Sequence, residues 1–258
     1  MMFFVGVHHP HKAGHVPLAM VSANALKNRK SHFPAGDWLL DSGAFTIINK
    51  HGGYPESVDA YAALIRRFSD CGNLLAAVAQ DFMCEPFVLA RTGLTVAEHQ
   101  RLTIDRYIDL LACDTGGVTI MPVLQGYDPA EYVDHIRQYG DLLTPSMWVG
   151  VGSVCKRNAH PLSARAVFEA IHAERPDLRL HGFGIKITAL HDQRVRDLLW
   201  SADSMAWSYA ARYEGRDGND INEAIRYVAK VNAQPVQMVM MMADEYEIPR
   251  LRVVEGLS

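Results

Sequence analysis

The sequence predicts an α/β protein folded as a single irregular TIM-type (β/α)8 barrel, and three observations predict it. Eight short apolar runs, typically ending in Gly, Asp, Gln or His, recur along the 258 residues. Most are apolar on both faces, as parallel strands buried between layers must be. Amphipathic stretches of helical length separate most of them, giving the alternation of a parallel barrel. An open doubly wound sheet is the alternative. It would favour a glycine-rich phosphate loop after the first strand, and the sequence has none there.

The first run, 3–9 (FFVGVHH), lacks a basic leader and a cleavage site, so it reads as a strand and not a signal peptide. Runs 18–26 (LAMVSANAL) and 37–45 (DWLLDSGAF) follow. The connections HPHKAGHVP and KNRKSHFPAG are too polar and too broken by Pro and Gly for normal helices, so the barrel is irregular at its start. Residues 56–70 put Val58, Tyr61, Ala62, Ile65 and Phe68 on one helical face, ahead of strand 74–81. Helix 95–112 opens with a Thr95/Glu98 capping box and leads to strand 118–126. Helix 128–140 starts at Asp128 with Pro129 in its first position, ahead of strand 147–153. Helix 160–176 precedes strand 178–185, and helix 188–200 precedes the last strand, 201–208. Helix 220–233 closes the fold. Residues 1–235 are thus expected to form one catalytic barrel. Residues 236–258, with the methionine-rich stretch 238–246, are expected to be a tail packing on the barrel or on a partner, as in a homodimer.

Nearly half the residues (49%) are apolar, enough for a sizeable core, yet no apolar run approaches the ~20 residues that span a bilayer. No membrane role is expected. Cys71, Cys84, Cys113 and Cys155 lack C-x-x-C spacing, which argues against a zinc ribbon or disulfide framework and suits a cytoplasmic protein. A net charge of −4 gives no bulk argument for nucleic-acid binding, for which a local basic stripe is what matters.

Chemistry in such a barrel sits at the C-terminal strand ends. Those ends carry His8, His9 and His11; Ser22 and Asn24; Asp41, Ser42 and Gly43; Gln80 and Asp81; Gln125 and Gly126; Gly150, Gly152 and Ser153; Gly184 and Lys186; and Asp203 and Ser204. A single strand-end Asp can simply cap a helix or hold a loop. Three on different strands favour a site. Two carboxylates facing each other suit glycosyl chemistry, one as nucleophile and one as proton shuttle. A third beside an amide suits a purine edge, because Asp accepts from N–H groups and Gln both donates and accepts. A metal-dependent barrel hydrolase using His9, His11 and Asp203 is the alternative. Against it, no later strand ends in a His pair, and the stretch from His8 to His15 also reads as a polar loop.

Six segments in order resemble the tRNA-guanine transglycosylase-like superfamily: DSGAF (41–45), QDFMCEP (80–86), PVLQG (122–126), WVGVGS (148–153), LHGFGI (180–185) and ADSMAWSYAARYEGRDG (202–218). The resemblance implies a pentosyltransferase with Asp203 as nucleophile and Asp41 as general acid/base. It implies that Asp81, Gln125, Gly126 and the Gly152 backbone N–H read the purine edge. Ser42, Gly43, Phe45 and His181 would complete the substrate pocket, with Phe45 on one face of the base and His181 on the other. Lys156, Arg157, Arg212 and Arg216 would contact phosphates. The zinc-binding cysteines of the tRNA enzymes have no counterpart, since no Cys follows Cys155. No cofactor is therefore expected. The short chain, Ala44 and Thr46 in the first motif, and the GSVCKRN loop (152–158) are closer to the DpdA-type DNA-guanine transglycosylases of phages and genomic islands. That resemblance implies exchange of guanine in DNA for a free 7-deazaguanine such as preQ0. A tRNA substrate stays open as the alternative. A non-catalytic subunit of such an enzyme would lose the nucleophile, whereas Asp41 and Asp203 are both present.

Overall fold

The computed structural model describes residues 1–155 and 161–233. The strands are β1 (Met2–Val7), β2 (Leu18–Ser22), β3 (Asp37–Asp41), β4 (Asn73–Val78), β5 (Ile120–Met121), β6 (Val123–Leu124), β7 (Trp148–Val151), β8 (Arg179–Gly182) and β9 (Leu199–Ser204). All pair in parallel, in the order β5-β4-β3-β2-β1-β9-β8-β7-β6. The two ends of that order, β5 and β6, are one strand interrupted at Pro122, which lacks an N–H to donate. Ala79 N donates to Met121 O (2.9 Å) on one side, and Gly150 N to Pro122 O (2.8 Å) on the other. The ring thereby closes as a barrel of eight strands, one of them broken.

The helices are α1 (Ala23–Leu26), α2 (Ala44–His51), α3 (Val58–Phe68), α4 (Pro86–Thr92), α5 (Val96–Leu111), α6 (Pro129–Tyr139), α7 (Pro161–Glu174), α8 (Gln193–Leu198), α9 (Ala206–Tyr213) and α10 (Ile221–Asn232). All eight expected strands form, and the barrel is irregular where expected. The link after β1 is a 3-10 helix (Pro10–His15), and the link after β2 holds only the single turn of α1. Most strands end earlier than expected, and four boundaries change the elements around them. Run 18–26 leaves the sheet at Ser22, run 37–45 leaves it at Asp41, and run 201–208 turns into α9 after Ser204. The helix expected over 188–200 shrinks to a 3-10 turn plus α8, because Leu199 already pairs with Leu180 in the sheet. At the second boundary Gly43 adopts φ 76°, and Asn24 Nδ2 donates to its carbonyl at 3.1 Å. A Cβ there would stand 2.3 Å from Asn24 Nδ2, so the turn requires glycine. Residues 236–258, expected as a packing tail, lie outside the described residues.

Side-chain alternation sorts each strand between two cores. Phe3, Val5, Val7, Ala19, Val21, Trp38, Leu40, Val149 and Val151 point outward into a shell shared with the helices. Phe4, Met20, Leu39, Ala76, Val78, Met121 and Val123 point inward and fill the barrel. Burial of each large apolar side chain stabilises by roughly 1.5–3 kcal/mol. Phe4, Trp38 and Leu39 are fully buried.

One polar device in the shell fixes the strand end that matters most. The imidazole of His135, on α6, is fully buried, and its Nδ1 accepts from Gln125 N at 2.8 Å. Its Nε2 therefore carries the proton and donates to Gln100 O at 3.1 Å. Gln100 Nε2 in turn donates to Gln125 O at 2.8 Å. Both backbone groups of Gln125 are satisfied by side chains just where the ladder ends. Burial lowers the His135 pKa to about 3, so folding favours the neutral ring. That contribution is complete above the unfolded pKa of about 6.5 and is lost as pH falls toward 3. His135→Leu should destabilise the fold by about 2–5 kcal/mol at pH 7.5, because two buried backbone groups lose partners. In urea titrations the gap to wild type should narrow by about 2 kcal/mol at pH 5. A gap independent of pH would contradict this account.

Candidate active site

The inward positions at the C-terminal ends of the strands line a cavity of about 220 Å³. Two residues beyond Leu39 on β3 comes Asp41, and two beyond Val123 comes Gln125, so both inherit the inward direction. Asp203 on β9 points inward with them. Gly6, Ser22, Phe45, Asp81, Glu85 and Gly152 complete the polar and open parts of the wall, and Met20, Met83, Phe183 and Met205 supply apolar surface.

One wall is a continuous row of hydrogen bonds. Ser42 Oγ donates to Asp81 Oδ1 at 3.2 Å, and Gln125 Nε2 donates to Asp81 Oδ2 at 2.5 Å. The Ser153 hydroxyl stands 2.7 Å from Gln125 Oε1 and 2.9 Å from Glu85 Oε2, so its one proton is shared between them. Cys84 N donates to Ser153 Oγ at 2.9 Å. Ser153 is held at φ 56°, a backbone region costly for a non-glycine residue. Beneath the row, Tyr54 Oη donates to the Asp81 carbonyl at 2.9 Å.

Two carboxyl groups of this cavity, Asp81 and Asp41, have raised pKa values. Burial, and then the charge of Asp41, raise Asp81 to about 7 against the pull of Gln125 and Ser42. Burial, and then the charge of Asp203, raise Asp41 to about 6, partly offset by hydrogen bonds from Ser22 and the Gly43 backbone. Near neutral pH such groups hold or release protons readily, as general acid–base work requires.

Asp203 is secured differently. Gly184 N donates to its Oδ1 at 3.0 Å, and His181 Nε2 lies 3.4 Å from the same oxygen. Trp148 Nε1 can only donate, and it does so to Ser201 Oγ at 2.8 Å. Ser201 also lies 2.8 Å from His181 Nδ1. The chain Trp148→Ser201→His181→Asp203 is consistent throughout when His181 carries its proton on Nε2. The imidazole is fully buried among the rings of Phe4, Trp148 and Phe183.

Of the residues singled out in the sequence, Asp41, Asp81, Asp203, Gln125, Gly152 and Phe45 meet at this cavity. His181 does not line it. It sits one layer deeper, under Asp203, and Phe183, two residues on, occupies the wall. The Gly152 N–H is not available to a ligand, since it donates to Leu124 O at 2.9 Å. What Gly152 supplies is space, because a Cβ would stand 2.1 Å from Gln125 Nε2. Gly126 lies off the cavity, facing Glu131 and Tyr132. Ser42 and Gly43 stand behind the wall, where Ser42 supports Asp81. Arg212 is exposed and hydrogen-bonds within its own helix, to Ser208 O at 3.3 Å. Arg216 is paired with the carboxylates of Glu214 and Glu223 and not left for phosphates. Lys156 and Arg157 lie outside the described residues. The hydrolase alternative required His9, His11 and Asp203 to converge. His9 and His11 instead stack on one another at 5.6 Å and neither lines the cavity. Among the described residues no group of three or more His, Cys, Asp or Glu could hold a metal ion. No helix among them is long and apolar enough to cross a membrane.

Sequence reasoning passed over Glu85, Met83, Cys155, Phe183 and Met205. Glu85 stands before Pro86 and reads as a helix cap, yet its carboxyl is buried and on the wall. Phe183 could have been found, since it shares the inward parity of His181.

The chain matches the family described as DpdA, DeoxyPurine in DNA protein A, over residues 1–237. No curated protein matches it.

The raised pKa of Asp81 has a consequence for stability. Proton uptake by the folded state favours folding fully below about 4, and this contribution is lost as pH rises through about 7. Asp81→Asn removes the group that must be charged in a buried site. Its stability relative to wild type should be about 2 kcal/mol more favourable at pH 8 than at pH 5, measured by urea unfolding at both. Equal differences at the two pH values would show that Asp81 is not protonated at neutrality.

Proposed function

We propose that this chain, which belongs to the DpdA family, exchanges guanine in DNA for a 7-deazaguanine base of the preQ0 kind through a covalent Asp203–sugar intermediate. The observation that carries the reading is the meeting of three carboxyl groups and one amide in a single cavity, with Asp81 buried, Asp41 half-buried and both raised in pKa, while Asp203 accepts hydrogen bonds from the fold.

The target guanine leaves the helical stack so that its C1′ can be reached. The Asp203 carboxylate attacks C1′, the C1′–N9 bond breaks, and the departing guanine takes the proton held by Asp41. The 7-deazaguanine then enters the vacated pocket and gives its N9 proton to Asp41. N9 attacks C1′ and the Asp203 ester bond breaks. Two inversions give net retention, and the proton count closes on Asp41. No step calls on a cofactor. A pKa near 6 suits a group that must both donate and accept at neutral pH.

Asp81 in its ionised form accepts from the N1–H and 2-amino groups of the base, and the second amide proton of Gln125 is free for the purine edge. Phe45, half-exposed at the mouth and edge-on to Phe87, supplies a face for the base. His181 aligns Asp203 from below, keeping one carboxylate oxygen occupied so that the other faces the sugar.

Incubation of the protein with labelled guanine and either DNA or tRNA tests the reading. Label should enter DNA, and label in tRNA alone would overturn the choice of polymer. Asp203→Ala should abolish incorporation and the covalent DNA adduct on denaturing gels. Asp41→Asn should slow exchange by about 10²–10⁴-fold. Undiminished exchange in Asp203→Ala would end the assignment of the nucleophile.

A further inference from the structure

Immediately after Asp203 the chain leaves the cavity by a route that the exchange chemistry does not use. Met205 lines the cavity, and α9 starts at the next residue. One face of α9 is buried through Trp207, Ser208 and Ala211. The opposite face carries Tyr209 and Tyr213, which are 69% and 83% exposed. Their rings lie within 17° of parallel, with centroids 6.4 Å apart. Neither phenol has a hydrogen-bond partner among the described residues. Two large aromatic rings held side by side in water contribute little to the fold, and exposed aromatic surface of this kind marks a contact site.

The chain carries a net −4, yet cationic groups stand near the tyrosines, and the carboxylate of Glu214, next to Tyr213, is neutralised by Arg216. Arg212 lies between the two tyrosines in sequence and has no carboxylate partner among the described residues. From the end of β1, His8 bonds to Ser208 Oγ at 2.8 Å, which ties that loop to α9. Burial, and then the charges of Arg212, His9 and Lys12, hold the His8 imidazole below its ordinary pKa, so these groups stand close together. Lys12 reaches across to the Asn219 carbonyl. Aromatic faces beside cationic groups that no carboxylate neutralises are the recurring composition of surfaces that hold single-stranded nucleic acid.

We infer that Tyr209 and Tyr213 form a stacking platform for the DNA bases next to the extruded guanine, with Arg212 and Lys12 on the adjoining phosphates. This rests on DNA being the substrate polymer. Extruding a base deprives its neighbours of a stacking partner, and an aromatic face beside the pocket replaces it. With a rise of about 1.5 Å per residue, the tyrosines lie roughly 6 and 12 Å along the helix from Met205, within the reach of the first few nucleotides beyond the flipped one. Arg216, already paired with two glutamates, takes no part.

The test uses the full chain and a fluorescently labelled single-stranded DNA containing guanine, followed by anisotropy across a salt series. The variant Y209A/Y213A should bind at least about tenfold more weakly, with its salt dependence unchanged. Y209F/Y213F keeps both rings and should bind within twofold of wild type. Arg212→Gln should lower the slope of log K against log salt by about one. The platform is overturned if Y209A/Y213A binds as tightly as wild type, if the phenylalanine variant loses as much as the alanine one, or if the wild-type chain does not bind DNA. Guanine incorporation measured in parallel separates the two ideas. Ring-dependent DNA binding without any incorporation would leave the platform standing and remove the exchange reaction.

Discussion

Three carboxyl groups, Asp41, Asp81 and Asp203, share one cavity at the mouth of the barrel, and the repulsion between like charges held out of water shapes what surrounds them. Such a site cannot leave all three ionised without a large penalty. The fold answers with two different environments. Asp41 and Asp81 shift toward the protonated form. Asp203 receives a backbone N–H from Gly184 and the edge of His181. Separating carboxyl groups by environment is what the proposed pairing of a proton carrier with a nucleophile in one pocket requires.

Much of the remaining polar structure exists to hold these groups still. Gln125 is held through its backbone by His135 and Gln100, and through its side chain by Asp81 and Ser153. The Ser201–His181 pair replaces what would otherwise be apolar barrel filling, and Trp148 closes the chain with a donor that has no alternative role. Buried polar networks carry a high penalty if any member is left unsatisfied, so each link constrains the next. Glycines at 6 and 152 leave the cavity open, since a Cβ at either would collide with Met205 or Gln125.

The architecture was legible because both of its signals are local. Short runs, most of them apolar on both faces, located every strand, and the Thr95/Glu98 capping box located the start of α5, where Glu98 Oε2 accepts from Thr95 N at 2.8 Å. Boundaries were less legible. Residues 23–26 and 206–208 are apolar enough for strand or helix, and the sheet register decided between them. Strand alternation also accounts for Asp41, Gln125 and Asp203, which continue the inward series of their strands. It fails for Asp81. The inward series of β4 runs Ala76, Val78 and then Gln80, yet Gln80 turns outward to accept from Arg106 at 2.8 Å. The strand has ended at Val78, and the loop places Asp81 on the wall.

By itself, then, the sequence determined the barrel, the order of its strands and helices and the identity of the carboxylates at the strand ends, because each is read from residues adjacent in the chain. Only the tertiary structure decided that His181 lies beneath Asp203 and not against a ligand. Only it decided that the Gly152 N–H is spent on Leu124, that Glu85 joins the wall, and that the rings of Tyr209 and Tyr213 lie exposed and nearly parallel. Those outcomes depend on register, layer and the hydrogen-bond demands of neighbouring strands, which no single segment of the chain contains.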